Sequence, residues 1–524
     1  MSQMLKSSGA MGAATMLSRV LGMVREMVYA SFMGDGLVAG AFQLAFTIPN
    51  LFRRLLGEGA LTAAFIPVFK ETEKREGEGP MWRAASAVLG ALLIVSAGIA
   101  AVAVGAISIT LLLGGLAPET QLMLRLLRLM FPYMIFVCAA AVFMGMLNAR
   151  GHFFIPALGP AVLNVVMISS ALLLAPRLGT ELNDQVFGLA WGVLAAGLLQ
   201  ALMQLPLLHR EGFRWAWIAP WREPTVRRVA MQMVPGLIGV AAFQINVALT
   251  QAIAFWFGRD GAPVLAPFNY AVRLMELPQG VFGISLATFL LPTLAGLAAE
   301  KKYPEFRSTL RQGVGYLSFV NLPASLMLVL LAQPMIRLLF ERGEFGPDAT
   351  DRAALALQFL APGLVAFSFV NILARAFYAL GDTATPMRIS FVCLSINLLL
   401  AALFIVPLRQ GGLGLANTLS AVLNVWLLGF ALRKKLARLE LATLRKDWLK
   451  MAVAAAFSGG IAWLSVTLWT RHFGNASLVL RIGEVFVPLT LAGLGYFAAA
   501  HALKLAQARD FLRALSRKRE AKAD

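Results

Sequence analysis

Fourteen apolar stretches follow one another along the chain. They lie near residues 7–30, 37–69, 84–113, 121–148, 155–175, 186–208, 229–256, 263–298, 312–331, 353–379, 387–406, 412–432, 451–469 and 482–503. A membrane-spanning helix needs ~20 mostly apolar residues, and each stretch meets or approaches that length. The pattern predicts an all-α polytopic membrane protein of about 14 transmembrane helices. One stretch departs from the rest. Phe42–Phe69 is apolar at both ends, yet its middle carries Arg53, Arg54 and Glu58 among Pro49, Gly57 and Gly59. An arginine at mid-bilayer costs roughly 2.5–3.5 kcal/mol on insertion scales. It is kept only where it faces a partner or a wet cavity.

The composition fits. The 524 residues are 59% hydrophobic and 14% charged, with a mean hydropathy of +0.73. The net charge of +19 would suggest nucleic acid in a soluble protein, but here it follows the loops. One side of the predicted membrane, the side of both termini, holds 30 of the 46 Lys and Arg, and the opposite side holds 8. The positive-inside rule then puts both termini in the cytoplasm. The apolar run at the N-terminus is interrupted by Arg19 and Arg25 and reads as a retained first helix rather than a signal peptide. The remaining 8 cations lie inside helices: Arg19, Arg25, Arg53, Arg54, Arg125, Arg128, Arg273 and Arg375. None is Lys. Guanidinium keeps its charge when desolvated and grips phosphate or carboxylate with a planar fork. Such a set suits an anion site, and it also suits interior ion pairs.

The chain repeats itself. Pro132, Ala149, Gly151 and Pro156 recur 230 residues later as Pro362, Ala379, Gly381 and Pro386, and Gly188-Leu189-Ala190 recurs 226 later as Gly414-Leu415-Ala416. Helices 1–6 and 7–12 read as two parallel six-helix copies, the arrangement of rocking-bundle transporters. This gives an N-lobe at 1–210, a C-lobe at 211–432, a basic interfacial linker helix at 433–450, helices 13 and 14 within 451–503, and a basic tail at 504–524.

Arg19 and Glu26 lie two turns apart on one face of helix 1, with Arg25 on a neighbouring face. Arg54 and Glu58 stand at i, i+4, and Arg273 and Glu276 at i, i+3, spacings that also suit plain salt bridges. Arg125 and Arg128 start helix 4, where they can snorkel. Asn50, Asn148, Asn164, Asn246, Asn397 and Asn424 suit interhelical hydrogen bonds. Cys138 and Cys393 read as small core residues, and the four His show no metal spacing, so no metal or cofactor is expected. No P-loop occurs. No carboxylate, metal or nucleophile constellation supports a glycosyltransferase or phosphatase, so the chain is not expected to be an enzyme.

The motifs SRVLGMVREM, AFQLAFTIPNLFRRLLGEGALTAAFIPVF, NYAVRLMELPQGVFGISLATFLLPTL and YALGDTATP closely resemble the MurJ (MviN) family of lipid II flippases, within the superfamily of multidrug, oligosaccharidyl-lipid and polysaccharide exporters. The resemblance covers essentially the whole chain. It implies a flippase moving lipid II from the inner to the outer leaflet of the bacterial cytoplasmic membrane, with Arg19, Arg25, Arg53 and Arg273 lining a central cavity. Glu26, Glu58, Glu276 and Asn50 are then supporting or gating groups. It further implies that helices 13 and 14 form a groove for the polyprenyl tail and that partners include membrane lipids and the cell-wall synthesis and division machinery; the two lobes together leave oligomeric state open, since a full two-lobe transporter can work as a monomer. Where the family pattern often carries an acid, this chain has Gly40. A flippase for another polyprenyl-linked oligosaccharide is the alternative substrate reading. A cation or drug exporter of the superfamily would need acids in the cavity, and the arginines outnumber Glu26, Glu58 and Glu276.

Overall fold

A peptide group in hydrocarbon has no water to bond, so a membrane-spanning chain must satisfy its backbone within helices or a closed barrel. Among the described residues every regular element here is helical. The computed structural model describes residues 2–57, 60–258, 261–437, 439, 444–511 and 513; for 2–13, 56, 57, 60, 62, 63, 235, 236, 238, 239 and 242 it describes the backbone alone.

The chain forms two compact units. The first comprises Met1–Ala266 with Arg342–Phe345. It begins with α1 (Ser2–Met33), which ends at Gly34, a residue held at φ +63. Then come α2 (Leu37–Phe52), a π-helical turn over Arg53–Gly57, and α3 (Ala60–Glu76). The long α4 (Glu78–Leu113) follows, then α5 (Pro118–Met130) and α6 (Tyr133–Ala149), separated at Pro132. The short α7 (Phe154–Ala157) leads into α8 (Gly159–Ser169), which runs into a π-helical turn, Ser170–Leu174. The unit closes with α9 (Leu182–Leu202), α10 (Leu205–Arg210) and α11 (Pro224–Phe257). Its core sits among α3, α4, α6 and α11. A chain of rings runs through it from Phe65 to Phe69, Trp82, Phe213 and Phe143, with successive centroids 5.3, 5.5, 5.5 and 6.3 Å apart.

At the end of that core Arg150, just past α6, ties several elements together. Its Nη1 lies 2.6 Å from Glu73 and 3.0 Å from Glu78, and its Nε donates to Glu211 at 2.9 Å. His152 Nε2 is 2.8 Å from the other Glu211 oxygen. The Arg150 guanidinium, seconded by His152, holds the Glu211 carboxyl below its ordinary range.

The second unit comprises Pro267–Glu341 and Gly346–Asp524. It takes most of α12 (Leu265–Pro278), a π-helical turn over Gln279–Ile284, and α13 (Ser285–Ala299). Next are α14 (Tyr303–Leu330), α15 (Ala332–Phe340), α16 (Pro347–Leu360) and α17 (Gly363–Ala379). The last four are α18 (Ala384–Leu408), α19 (Gln410–Leu436), α20 (Arg445–His472) and α21 (Leu478–Ala502). One core lies among α13, α14, α17 and α19. Two smaller clusters, around Phe319 with Tyr496 and Met327 with Ala492, fasten α20 and α21 along the length of α14.

Ten helical segments among the described residues are long and apolar enough to span a membrane, or eleven with the pair α16 and α17, bent by 47° at Pro362. The remaining three predicted stretches are helical as α1, α2 with α3, and α11. Charges mark α1, and a break at Arg53 divides the second. In α11, Phe243–Phe257 is apolar. The interfacial helix expected over 433–450 is not a separate element. Its ends continue α19 to Leu436 and open α20 at Arg445, while 438 and 440–443 lie outside the described residues. The repeat is visible in the breaks: Pro132 and Pro362 precede α6 and α17, and Gly151 and Gly381 follow them at φ +88 and +73. Packing divides the chain elsewhere than the repeat does, since α11, which opens the second copy, belongs to the first compact unit.

The far end of α20 and α21 is pinned by charge. Glu484 is 1% exposed and accepts from Arg337 Nη1 at 2.8 Å. Arg481 reaches the Glu341 carboxylate at 3.0 Å and its backbone carbonyl at 2.9 Å. Removing one partner of a buried pair leaves an uncompensated charge. Arg337→Met is therefore expected to cost ~3 kcal/mol and lower the thermal midpoint of the purified protein by several degrees. Adding Glu484→Gln should return most of it; a double variant as unstable as the single one would refute this account. A second pair tests pH. Asp382 accepts from Lys435 Nζ at 2.7 Å and from the Thr385 amide at 3.0 Å, contacts that hold its carboxyl down to about 2. Its folded pKa lies below the ordinary ~3.9, so its contribution is present above pH ~4 and is lost as pH falls through about 2. Asp382→Asn should lower the midpoint at pH 7 and match wild type near pH 2.

Candidate functional site

The arginine segment of α1 is held against α8 by a close approach. Asn164 Nδ2 donates to the Ser18 carbonyl at 3.0 Å, and a Cβ on Gly22 would stand 3.5 Å from that amide. Arg19, one residue on, is exposed. Arg25 is turned inward. Its Nη2 donates to the adjacent Glu26, which is buried, and its guanidinium carbon stands 5.6 Å from the Tyr29 ring centroid. The sequence spacing had offered Arg25 no acid at i+4; the structure supplies one at i+1. Its buried Nε still meets no acceptor among the described residues. Arg25 thus keeps donor capacity beyond its ion pair.

On α2, Tyr29 meets Phe42 edge-on at 5.7 Å, and Thr47 donates to Gln251 of α11 at 2.7 Å. Arg53 Nε donates to Asn50 Oδ1 at 2.7 Å. Asn50 orients the guanidinium from one turn back on the same helix. The helix changes from α to π at Arg53 itself, and such turns are frequent at functional sites. Arg54 is half-buried beside it, and Glu58 lies outside the described residues.

In the second unit Arg273 Nη1 pairs with Glu276 at 2.8 Å, with 44% and 50% of the side chains exposed. The salt-bridge alternative is what the structure holds there, in a half-exposed form. The π-turn after it, Gln279–Ile284, begins 226 residues after the one at Arg53, the same offset as the Gly-Leu-Ala repeat. Arg19, Arg25, Glu26, Asn50 and Arg53 thus belong to the first unit and Arg273 and Glu276 to the second. Arg125 and Arg128 are exposed on α5. Arg375 bridges α17 to Thr288 of α13 at 3.0 Å, which is a packing role. Among the described residues no three His, Cys, Asp or Glu converge as a metal site.

A model of the family "Lipid II flippase MurJ" matches residues 29–483. The chain is 35% identical over 488 residues to a probable lipid II flippase MurJ of Vibrio cholerae, covering 89% of this chain and 90% of that one. The chain belongs to the MurJ lipid II flippase family. It is also 32% identical over 498 residues to the lipid II flippase MurJ of Burkholderia cenocepacia, covering 92% and 94%. Among solved structures it resembles a MurJ in an inward closed conformation, with a TM-score of 0.76 at 20% identity over 94% of this chain and 99% of that one. An inward-facing multidrug-resistance MATE transporter matches at a TM-score of 0.66 and 16% identity over 82% and 98%. These likenesses show a shared MurJ/MATE fold in a multi-pass membrane protein. MurJ proteins are transporters, not enzymes.

Gly40, where the MurJ pattern often has an acid, is buried, and a Cβ there would meet Phe255 at 3.4 Å and Leu265 at 3.9 Å. A carboxylate there would start against an aromatic ring and a leucine. Gly40→Ala should leave the thermal midpoint close to wild type, while Gly40→Asp should cost ~2–4 kcal/mol as a buried, unpaired polar group. Equal effects of the two would show that space, not polarity, governs the position.

Proposed function

We propose that this protein moves lipid II, the undecaprenyl-pyrophosphate-linked peptidoglycan precursor, from the inner to the outer leaflet of the cytoplasmic membrane by alternating access. The observation that carries the reading is the state of its arginines, joined to membership of the MurJ family. Arg25 has a buried donor to spare, Arg53 is steered by a neutral amide, and Arg273 is held by a half-exposed acid. An incoming pyrophosphate offers several anionic oxygens, and guanidinium forks bind these bidentately. In this reading Arg19, Arg25 and Arg53 from the N-lobe and Arg273 from the C-lobe hold the pyrophosphate, and Glu26, Glu276 and Glu58 release it by competing for the same forks. The tail stays in lipid beside α20 and α21. The loop charges favour a topology with both termini in the cytoplasm, and a monomer carries the complete set of cations.

The test is lipid II flipping in cells whose only copy is this protein, with membrane levels checked. Arg53→Ala at normal levels should lower flipping by ~10–100-fold, the worth of one or more charged hydrogen bonds. Normal flipping by this variant would make Arg53 structural. Failure of the wild type to move lipid II would overturn the substrate and point to another polyprenyl-linked sugar.

A further inference from the structure

The segment between α10 and α11 is anchored at both ends and splayed between them. Phe213 is 1% exposed in the ring chain of the first unit, and Pro220 is buried. Between and just after them Trp215, Trp217 and Trp221 are 54%, 60% and 75% exposed. The helix α4 fixes their level. Its 36 residues make a rod of ~54 Å, while a bilayer core is spanned by ~20 residues. Leu112 and Leu113 at its far end are among the most exposed apolar side chains, whereas the first turns, with Met81, Ala85 and Ser86, are buried in protein. Counting ~20 residues back from Leu113 puts the core's edge near Ile94. Gly90 is one turn beyond, and there the segment docks: a Cβ on Gly90 would stand 3.6 Å from Pro220 and 3.9 Å from the Trp217 ring. The tryptophans therefore stand at headgroup level, where indole rings concentrate.

Beside them an open cavity of about 570 Å³ is lined by Trp221, Arg222, Glu223, Arg227, Arg228 and Met231, among others. Arg228 is committed to Glu71 at 2.7 Å. Arg222 and Arg227 are exposed and have no acid partner among the described residues. The cavity's carboxylate, Glu223, accepts from Thr225 at 3.1 Å. Beyond the arginines α11 turns apolar, with Met231 and Val234 64% and 51% exposed. Two uncommitted guanidiniums and an indole thus line one cavity, and exposed apolar side chains follow along α11, the chemistry that an anionic headgroup with acyl chains below it would meet.

We propose that this cavity binds the headgroup of an anionic glycerophospholipid. Arg222 and Arg227 hold the phosphodiester, Trp221 covers the glycerol, and the acyl chains descend past Met231. The site lies wholly in the first unit, and nothing in it depends on what the transporter carries.

The experiment is native mass spectrometry of the full-length protein in neutral detergent, titrated with phosphatidylglycerol, with phosphatidylcholine, or with phosphatidylglycerol plus millimolar inorganic phosphate. At ~1 kcal/mol per surface cation, Arg222→Gln with Arg227→Gln should weaken the tightest phosphatidylglycerol site about 30-fold and leave phosphatidylcholine unchanged. Glu223→Gln should tighten it about fivefold, a gain that misfolding does not produce. Neutralising Lys301 and Lys302 should change nothing. Unchanged phosphatidylglycerol affinity in the double variant would overturn the proposal. So would an equal loss on neutralising Lys301 and Lys302, which means diffuse charge, or displacement by inorganic phosphate, which means a free-anion pocket.

Discussion

A guanidinium inside a membrane cannot discard its charge, and the fold is arranged around that constraint. No partner at all would cost more than the helix could bear, yet an arginine whose every donor is spent could take no ligand. The chain takes a middle course by local means. Arg25 leans on the next residue, Arg53 on an amide one turn back, and Arg273 on a half-exposed acid one turn on. Each of these contacts comes from the arginine's own helix, so part of the cost of its charge is met locally.

Away from these cations the charged groups are spent on fastening. Arg150 gathers three acids from α3, α4 and the end of α10, and Arg337 secures the buried acid of α21. Both networks stand at the ends of helices, where bonding to protein competes with bonding to water. The long apolar faces between them are packed by small residues against bulky neighbours, as where Gly197 admits Tyr133 and Gly313 admits Leu290.

Much of this was legible in the sequence because it is local. Apolar runs mark the helices, and Pro132 with Pro362 and Gly151 with Gly381 mark their breaks. The arginines stood out because the hydrocarbon around them makes them expensive. The acid networks were not legible: Arg150 finds Glu73 and Glu211 77 and 61 residues away, and Arg337 finds Glu484 147 residues away, pairings that exist only once helices pack. The π-turns were hidden for another reason. One extra residue in a turn shifts the phase of the apolar stripe, and in a helix apolar on most sides that shift leaves no trace. The assignment of α11 was also out of reach, because repetition records how copies align and compaction records which helices bury each other.

The π-turns that begin 226 residues apart sit at matching places in the two copies, but their neighbours differ. Arg53 opens one, and Gln279 the other; Asn50 precedes the first, where Glu276 precedes the second. The mechanical joint is thus common to both halves while the electrical load is not. A residue deleted from either turn would rewind that helix by about 100° beyond the joint, swinging every later side chain to a new bearing relative to the arginine. The cations stand at or before these joints, so length at the joint sets the bearing of the helix beyond each cation.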